Sequence, residues 1–201
     1  MTLNAVLLFL LAQIGPVFPG PGTPHATGDT VTFLDSFSGS GALSGNWSVV
    51  SAATPYGGTI VQASGVAQNS ASYKNVTEIV TGISFPRNQF AQNTVVTRTN
   101  GQTWLCILMD TSGNGYCAYG ASIWKATAGT LANLGGSGAP AAGDAWELAS
   151  DSAGHLVTYK NGAQQSTVTD TTWTSGYPGI YTVGSASVKD PQVSNFAAGV
   201  H

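Results

Sequence analysis

Carboxylate side chains are the first candidates for chemistry in this sequence, because two of them at the right separation can cleave a glycosidic bond. Such enzymes hold their two carboxyl groups roughly 5 to 9.5 Å apart. The chain has two glutamates, Glu78 and Glu147, and Asp144 and Asp151 lie near Glu147 in sequence. Both aspartates fall in predicted turns at the ends of its strand, so we interpret Glu147 as a solvated residue on an outward strand face. We predict no catalytic residue and no enzyme, with a glycoside hydrolase as the enzymatic alternative.

Histidine and oxygen-rich segments do not add a stronger site. His25, His155 and His201 come without the Gly-x-Ser-x-Gly turn that exposes a serine nucleophile. Residues 110–115, DTSGNG, have the composition of a calcium loop but lack a later acidic residue to complete the ligand shell. A hairpin loop explains the segment better, since Asn-Gly favours turns. We predict neither a metal site nor a cofactor.

The two cysteines, Cys106 and Cys117, flank that loop, and two strand registers are open. A turn centred just after Thr111 places the cysteines directly opposite each other, with Trp104 facing Tyr119 beside them. A disulfide between Cys106 and Cys117 then becomes feasible. A turn centred on 114–115 puts them out of register and leaves two buried thiols. A disulfide would indicate an oxidising setting.

Aromatic side chains near loops are the candidates for sugar contact. A flat ring can cover the apolar face of a pyranose while its polar edge stays in water. Three tryptophans are interpreted as core residues instead: Trp47, Trp104 and Trp146. Five aromatic residues near predicted loops or strand ends are the glycan-binding candidates: Tyr56, Tyr116, Tyr119, Trp124 and Tyr177.

Composition excludes several classes of function. Charged residues make up 7% of the 201 residues and hydrophobic residues 42%, which indicates a packed core. The net charge is −3 and the six Lys and Arg residues are scattered singly, so no nucleic-acid partner is expected. Gly or Pro interrupts every helix-period stretch after the N-terminal region. The chain is therefore predicted to be all-β.

Residues 143–181 carry the clearest structural pattern, three short strands joined by two tight turns. Asn161-Gly162 suits a two-residue type I′ hairpin, which needs positive φ at both central positions. A two-residue turn centred just after Ser152 would place Trp146 opposite Tyr159. One face of that hairpin would then be apolar, as a sheet packed on a core requires.

Further strand candidates follow one another at the spacing of a β-sandwich. The run at 104–109, WLCILM, has no polar alternation, which indicates a central strand buried on both faces. The predicted strands outside the hairpin block are 30–35, 47–50, 59–63, 71–73, 76–85, 93–99, 103–109, 116–119, 122–126, 130–134, 180–183 and 192–197.

The first 29 residues form a separate region, an apolar run followed by a Pro/Gly stretch. The run at 5–11, AVLLFLL, is too short for a membrane span of about 20 residues. It has the length of the apolar part of a signal peptide, but no Lys or Arg precedes it and no clean Ala-x-Ala site follows. We expect an extended assembly arm over 1–29 and a β-sandwich over 30–201, with a secretion signal as the alternative. The side chains expected to dock on another copy or on a particle surface are Leu7, Leu8, Phe9, Leu10 and Phe18.

Short motifs in a fixed order carry a family resemblance. The series opens with Asp35-Ser36-Phe37, Leu43 and Gly45-Asn46-Trp47, and it ends with Val193-Ser194-Asn195-Phe196. The pieces between them lie at 115–119, 143–148, 156–162 and 176–179. Over residues 33–197 the chain resembles the concanavalin A-like lectin and glucanase domains of the laminin-G type. The resemblance implies a two-sheet antiparallel jelly roll, as in secreted glycan-binding modules, glycosidases and bacteriophage structural proteins.

Together, the arm, the low charge and this resemblance suggest a non-enzymatic function. The first expectation is a structural or display protein on the surface of a virus particle, a phage capsid-decorating or tail-associated subunit. Its partners would be other copies of itself or the particle surface, and cell-surface glycans. The alternative is a secreted, lectin-like carbohydrate-binding module.

Overall fold

The computed structural model describes residues 29–50, 58–187 and 189–201, and these contain sixteen β-strands and no helix. Tyr56 and the five arm side chains between 7 and 18 lie outside the described residues. In this part of the chain no helix is long and apolar enough to cross a membrane. The strands are β1 (Thr30–Asp35), β2 (Ser40–Ala42), β3 (Trp47–Val49), β4 (Ile60–Ala63), β5 (Val66–Asn69), β6 (Asn75–Val80), β7 (Gln89–Thr97), β8 (Gln102–Met109), β9 (Gly115–Tyr119), β10 (Ser122–Thr127), β11 (Thr130–Gly135), β12 (Ala145–Ser150), β13 (His155–Lys160), β14 (Ala163–Thr169), β15 (Tyr177–Val183) and β16 (Gln192–Val200).

The strands form two antiparallel sheets. The nine-stranded sheet has the order β14-β13-β12-β7-β16-β5-β4-β2, and β1 also pairs with β16. The seven-stranded sheet has the order β11-β10-β9-β8-β15-β6-β3. Several neighbouring strands are far apart in sequence, as crossovers between two sheets require. The predicted all-β, two-sheet jelly roll is confirmed.

Side chains from both sheets meet in one core between them. Phe33 and Phe196 of the nine-stranded sheet contact Trp47 of the other sheet, with ring centroids 5.8 and 4.8 Å apart. The Asp35 carboxylate accepts hydrogen bonds from the Trp47 indole N–H at 2.9 Å and from the Phe37 backbone N–H at 2.8 Å. One carboxylate therefore ties the Asp-x-Phe motif to the tryptophan that follows it.

The hairpin between β12 and β13 has a register one residue away from the predicted one. Trp146 pairs with Lys160 rather than with Tyr159. Asp151 is the cause, because its backbone N–H donates to the His155 carbonyl at 3.1 Å and its Oδ1 accepts from the His155 N–H at 2.9 Å. The loop consequently contains three residues, and the prediction of a two-residue loop is wrong.

Two strand predictions between residues 66 and 85 are also wrong. The strand Val66–Asn69 was not predicted, whereas residues 71–73 are not a strand. β6 ends at Val80 instead of continuing to residue 85. The Thr81 N–H donates to the Asn46 carbonyl at 2.9 Å, which turns the chain out of the sheet at that point.

Candidate functional site

Strand alternation divides the seven-stranded sheet into an inner and an outer face. In β8, Leu105 and Ile107 join the core between the sheets, whereas Trp104 and Cys106 belong to a second apolar cluster. Apart from Val50, that second cluster is built from strands of the seven-stranded sheet alone, so it covers the outer face. Both faces of β8 are buried, as its unbroken apolar run predicts.

Four aromatic residues form a row on this outer face, on the neighbouring strands β15, β8, β9 and β10. Trp104 lies at the centre, with its ring centroid 5.1 Å from Tyr119, 5.6 Å from Trp124 and 5.7 Å from Tyr181. Trp104 is 6% exposed, and the other three rings are half-buried. We call these four residues the aromatic face.

A disulfide crosses the sheet beside the aromatic face. Cys106 and Cys117 pair directly in the register of β8 and β9, with their Cα atoms 4.0 Å apart, and their sulfurs are bonded. The chain thus has the first of the two registers considered for this hairpin. The bond joins the two strands that carry Trp104 and Tyr119, so it holds those rings in place.

Arg98 supplies a positive charge at the edge of the aromatic face. Its Nε donates to Tyr119 Oη at 2.6 Å, and its Nη1 donates to the Pro140 carbonyl at 2.8 Å. The guanidinium carbon also lies 5.4 Å from the centre of the Tyr119 ring. Tyr119 is therefore oriented both through its hydroxyl and through its ring.

The glycan-binding candidates fall in different places. Tyr119 and Trp124 lie together on the aromatic face, whereas Tyr116 is fully buried in the core. The Tyr116 hydroxyl donates to Asp170 Oδ1 at 2.6 Å, and burial, with that carboxylate, raises the tyrosine pKa to about 12. Tyr116 is wrong as a surface candidate, because alternation along β9 turns it inward and Tyr119 outward.

Trp104 and Tyr181 are parts of this face that the sequence reasoning did not assign. Trp104 is buried as predicted, but on the outer side of the sheet. The expected pairing of Trp104 with Tyr119 was a usable signal, since residues directly opposite in a sheet share a face. Tyr181 pairs with Trp104 from the other side, and no short-range pattern joins β15 to β8.

Tyr177 is the first residue of β15, and it lines a separate cleft of about 410 Å³. Trp173, Phe85 and Asp110 line the same cleft. The Trp173 indole N–H donates to the Ala126 carbonyl at 3.1 Å, so its polar edge is used inside the protein. We call this the loop cleft.

Asp110 is engaged within its own loop. Its carboxylate accepts hydrogen bonds from the Ser112 and Asn114 backbone N–H groups and from the Asn114 amide, at 2.8 to 2.9 Å. The Asn114 amide oxygen in turn accepts from the Ala128 N–H at 2.9 Å. These hydrogen bonds stabilise the hairpin loop, which agrees with the interpretation of the segment as a turn.

Glu147 is buried rather than solvated, which corrects the interpretation made from the sequence. It projects from the outer face of the nine-stranded sheet, yet it is 2% exposed. Gln92 lies opposite it on β7 and Tyr159 opposite it on β13. Side chains from both neighbouring strands thus flank the carboxylate, and the sequence pattern alone did not show how closely they pack.

Glu78 points into the interior of the sandwich from β6. Its carboxylate accepts the Ile60 backbone N–H at 2.7 Å. Burial raises the pKa of this glutamate to about 7, and the Ile60 hydrogen bond opposes the rise. The two glutamates therefore stand in different sheets and on opposite sides of the nine-stranded sheet.

No family model matches the sequence, and no curated protein matches it. Solved structures do share the fold. The carbohydrate-binding module CBM66 from Bacillus subtilis superposes with a TM-score of 0.59 and 13% identity, covering 79% of this chain and 99% of that chain. A protein of unknown function with a galectin-like fold, also from Bacillus subtilis, gives 0.56 and 12%, covering 89% and 97%. The VIP36 exoplasmic/lumenal domain in its Ca²⁺/Man-bound form gives 0.53 and 10%, covering 78% and 83%. These likenesses and the topology establish a concanavalin A-like jelly roll.

Proposed function

We propose that this chain is a non-enzymatic glycan-binding module that holds a carbohydrate on the aromatic face. The observation that carries the proposal is the row of Trp104, Tyr119, Trp124 and Tyr181 over four neighbouring strands of an outer sheet face. Half-buried rings at a surface suit a ligand with one apolar and one polar side. A pyranose has such a shape, because its C–H groups can cover a ring while its hydroxyls remain in water.

The row favours an oligosaccharide over a single sugar. The ring centroids of Tyr181 and Trp124 lie 5.7 and 5.6 Å from that of Trp104 and belong to strands on either side of β8, so the row extends over up to about 11 Å. Arg98 lies at the edge of the row with its guanidinium held by Tyr119 and Pro140. A guanidinium in that position is suited to donate to sugar hydroxyls or to an acidic sugar.

The absence of enzymatic activity is part of the proposal. The aromatic face contains no carboxylate and no imidazole. Glu78 is turned into the interior, and Glu147 lies on the other sheet. We expect no release of reducing ends from oligosaccharides bound at this face, and none that depends on either glutamate.

The shared fold supports the proposal without assigning a ligand. CBM66 is described as a carbohydrate-binding module, and the VIP36 domain is seen with mannose. At 13% and 10% identity these structures share only the fold, so the binding residues of this chain are inferred from its own surface.

Titration of purified protein with oligosaccharides selected on a glycan array tests the proposal. Trp124→Ala and Tyr181→Ala should each weaken binding at least tenfold, since each removes a ring from the row. Tyr159→Ala, which truncates a half-buried ring on the outer face of the other sheet, is the matched control and should bind like the wild type. Loss of binding in Trp173→Ala, with Trp124→Ala unaffected, would move the ligand to the loop cleft and overturn the assignment to the aromatic face.

For the location of the protein, we propose an oxidising, extracellular setting. The disulfide between Cys106 and Cys117 supports it, because such bonds persist mainly outside the reducing cytosol. A virus-particle surface is the second proposal, and it depends on the arm outside the described residues. Deleting residues 1–27 should leave a folded protein that no longer joins a particle or other copies. Unchanged assembly by the truncated protein would leave the secreted module as the better proposal.

A further inference from the structure

A group of metal-ligating side chains occupies the outer face of the nine-stranded sheet, away from the aromatic face. One carboxylate oxygen of Asp29, one of Glu147 and one ring nitrogen of His201 all lie within 4.8 Å of one another. We propose that these three residues, with Gln92, form a site for a divalent transition-metal ion of the Zn²⁺ type. We call the four residues the carboxylate cluster.

Strand pairing explains why these distant residues meet. β1 and β16 run antiparallel with Thr30 opposite Val200, so Asp29 and His201 are the next pair along the ladder. His201 Nδ1 lies 2.8 Å from Asp29 Oδ1. The backbone N–H of His201 donates to the Asn88 carbonyl at 2.9 Å, which fixes the end of β16 against the start of β7.

Gln92 supplies an independent indication of a ligand. It lies directly opposite Glu147 on β7, so both side chains project from the same face of the sheet. Gln92 is 2% exposed, and its Oε1 is buried without a hydrogen-bond partner. An unsatisfied buried carbonyl oxygen costs roughly 1 to 3 kcal/mol, so such an atom beside a carboxylate calls for a donor or a cation.

The donor set selects the class of ion. Two carboxylates neutralise a divalent charge, and the amide oxygen and imidazole complete four positions. Zn²⁺ takes oxygen and histidine nitrogen at about 2.0 to 2.2 Å in tetrahedral geometry, whereas Ca²⁺ requires six to eight oxygens. At those bond lengths tetrahedral ligand atoms lie about 3.4 Å from one another, so atoms up to 4.8 Å apart must close by up to about 1.4 Å around such an ion, which side-chain rotation can supply.

An ion held in this way would join four consecutive strands of the sheet. Glu147, Gln92, His201 and Asp29 belong to or adjoin β12, β7, β16 and β1, which are hydrogen-bonded in that order. The metal would thus fasten the first and last strands of the sandwich to its centre. Its predicted role is structural, and it should stabilise the folded chain in proportion to its affinity.

The test is calorimetric titration of the chelator-treated full chain with ZnCl₂, alongside MnCl₂ and CaCl₂, with thermal unfolding measured at each step. One equivalent of Zn²⁺ should bind with a Kd in the micromolar range or tighter and raise Tm by several degrees, and Ca²⁺ should bind at least tenfold more weakly. Glu147→Gln and His201→Ala should each weaken Zn²⁺ binding at least tenfold. Gln92→Leu, a second variant that keeps the carboxylates, should weaken it by a smaller factor.

His155→Ala is the matched control, because His155 and Asp151 form an exposed histidine–carboxylate pair 2.6 Å apart on the same sheet. This variant should bind Zn²⁺ like the wild type. Zn²⁺ affinity that survives Glu147→Gln, or that disappears in His155→Ala, would overturn the proposal. Preferential binding of Ca²⁺ would overturn the class of ion, and absence of any Tm shift would overturn the structural role.

Discussion

The outer face of the seven-stranded sheet carries aromatic rings and a disulfide, whereas the outer face of the nine-stranded sheet carries the carboxylate cluster. Each face has a largely buried centre, Trp104 on one and Glu147 on the other. Trp104 is surrounded by rings from three neighbouring strands. Glu147 has polar side chains opposite it on both neighbouring strands, Gln92 and Tyr159.

This difference teaches that burial alone does not identify the core of a sandwich. Alternation along a strand puts one set of side chains between the sheets and the other set outside. In this protein the outside set is also largely buried, so each sheet has an additional layer with its own chemistry. The aromatic layer suits an apolar sugar surface, and the polar layer suits an ion.

The largest expected effect follows from removing the centre of the aromatic face. Trp104→Ala deletes contacts to Tyr119, Trp124 and Tyr181, and it should lower the free energy of unfolding by about 3 to 5 kcal/mol. Tyr159→Ala on the other sheet truncates a half-buried ring and should cost about 1 to 2 kcal/mol. Urea denaturation of both variants measures the two costs. Equal costs would mean that the two outer layers contribute alike and that the division between them does not hold.

The two glutamates sharpen the comparison, because Glu78 faces the core whereas Glu147 faces outward. The pKa of Glu78 is raised from 4.5 to about 7, so the folded protein binds this proton more tightly than the unfolded chain does. The free energy of unfolding should therefore fall as pH rises from about 4.5 to about 7, by up to about 3 kcal/mol, and then level off. Glu78→Gln keeps the shape and the acceptor for the Ile60 N–H without a charge. It should be about as stable as the wild type at pH 4 and more stable at pH 8.

Urea melts at several pH values, made on the wild type and on Glu78→Gln, measure this effect. A wild-type stability that is flat between pH 4.5 and 7 would contradict the raised pKa of Glu78.

The disulfide should contribute the next largest effect, and only to the seven-stranded sheet. Cys106 and Cys117 are separated by 11 positions, and closing a loop of that size stabilises a fold by about 2 to 3 kcal/mol. Cys106→Ala/Cys117→Ala should lose that amount and should also bind glycan more weakly, since the bond holds the strands of Trp104 and Tyr119. Zn²⁺ affinity should not change. Dithiothreitol should destabilise the wild type but not the double variant; equal sensitivity of the two proteins to the reagent would contradict this account.

Much of the fold was predictable because alternation and turn chemistry are local. β1 was predicted at 30–35 and is found at Thr30–Asp35. The hairpin at Asp151 shows the limit, since one aspartate that bonds to His155 adds a loop residue and moves the register by one. Local pattern predicts that a turn exists, but side-chain hydrogen bonds decide its length.

The candidate sites were less predictable, because alternation shows which residues share a face without showing which face lies inside. Tyr116 and Tyr119 lie three positions apart in one strand, so they face opposite sides of the sheet. Tyr116 is buried in the core, and only Tyr119 can contact a sugar at the surface. Glu147 meets Asp29 and His201 only because β1 and β16 pair across a separation of more than 160 residues. That pairing depends on the whole topology, and no motif in the sequence encodes it.

The smallest expected effect concerns the cations beside each sheet's rings. Arg98 uses its planar guanidinium to donate to Tyr119 and to Pro140, whereas Lys160 places one ammonium 2.9 Å from Asp144 and 5.9 Å from the centre of the Trp146 ring. Arg98→Lys keeps the charge but cannot make both hydrogen bonds at once, so it should cost about 1 kcal/mol of stability and weaken glycan binding two- to fivefold. Lys160→Arg keeps a single-point contact and should change stability by less than about 0.5 kcal/mol, with no effect on glycan binding. Titration and urea melts of the two variants measure both quantities. If Arg98→Lys binds glycan like the wild type while Lys160→Arg does not, the ligand lies beside Trp146 instead of on the aromatic face, and the assignment of the glycan to the outer face of the seven-stranded sheet is wrong.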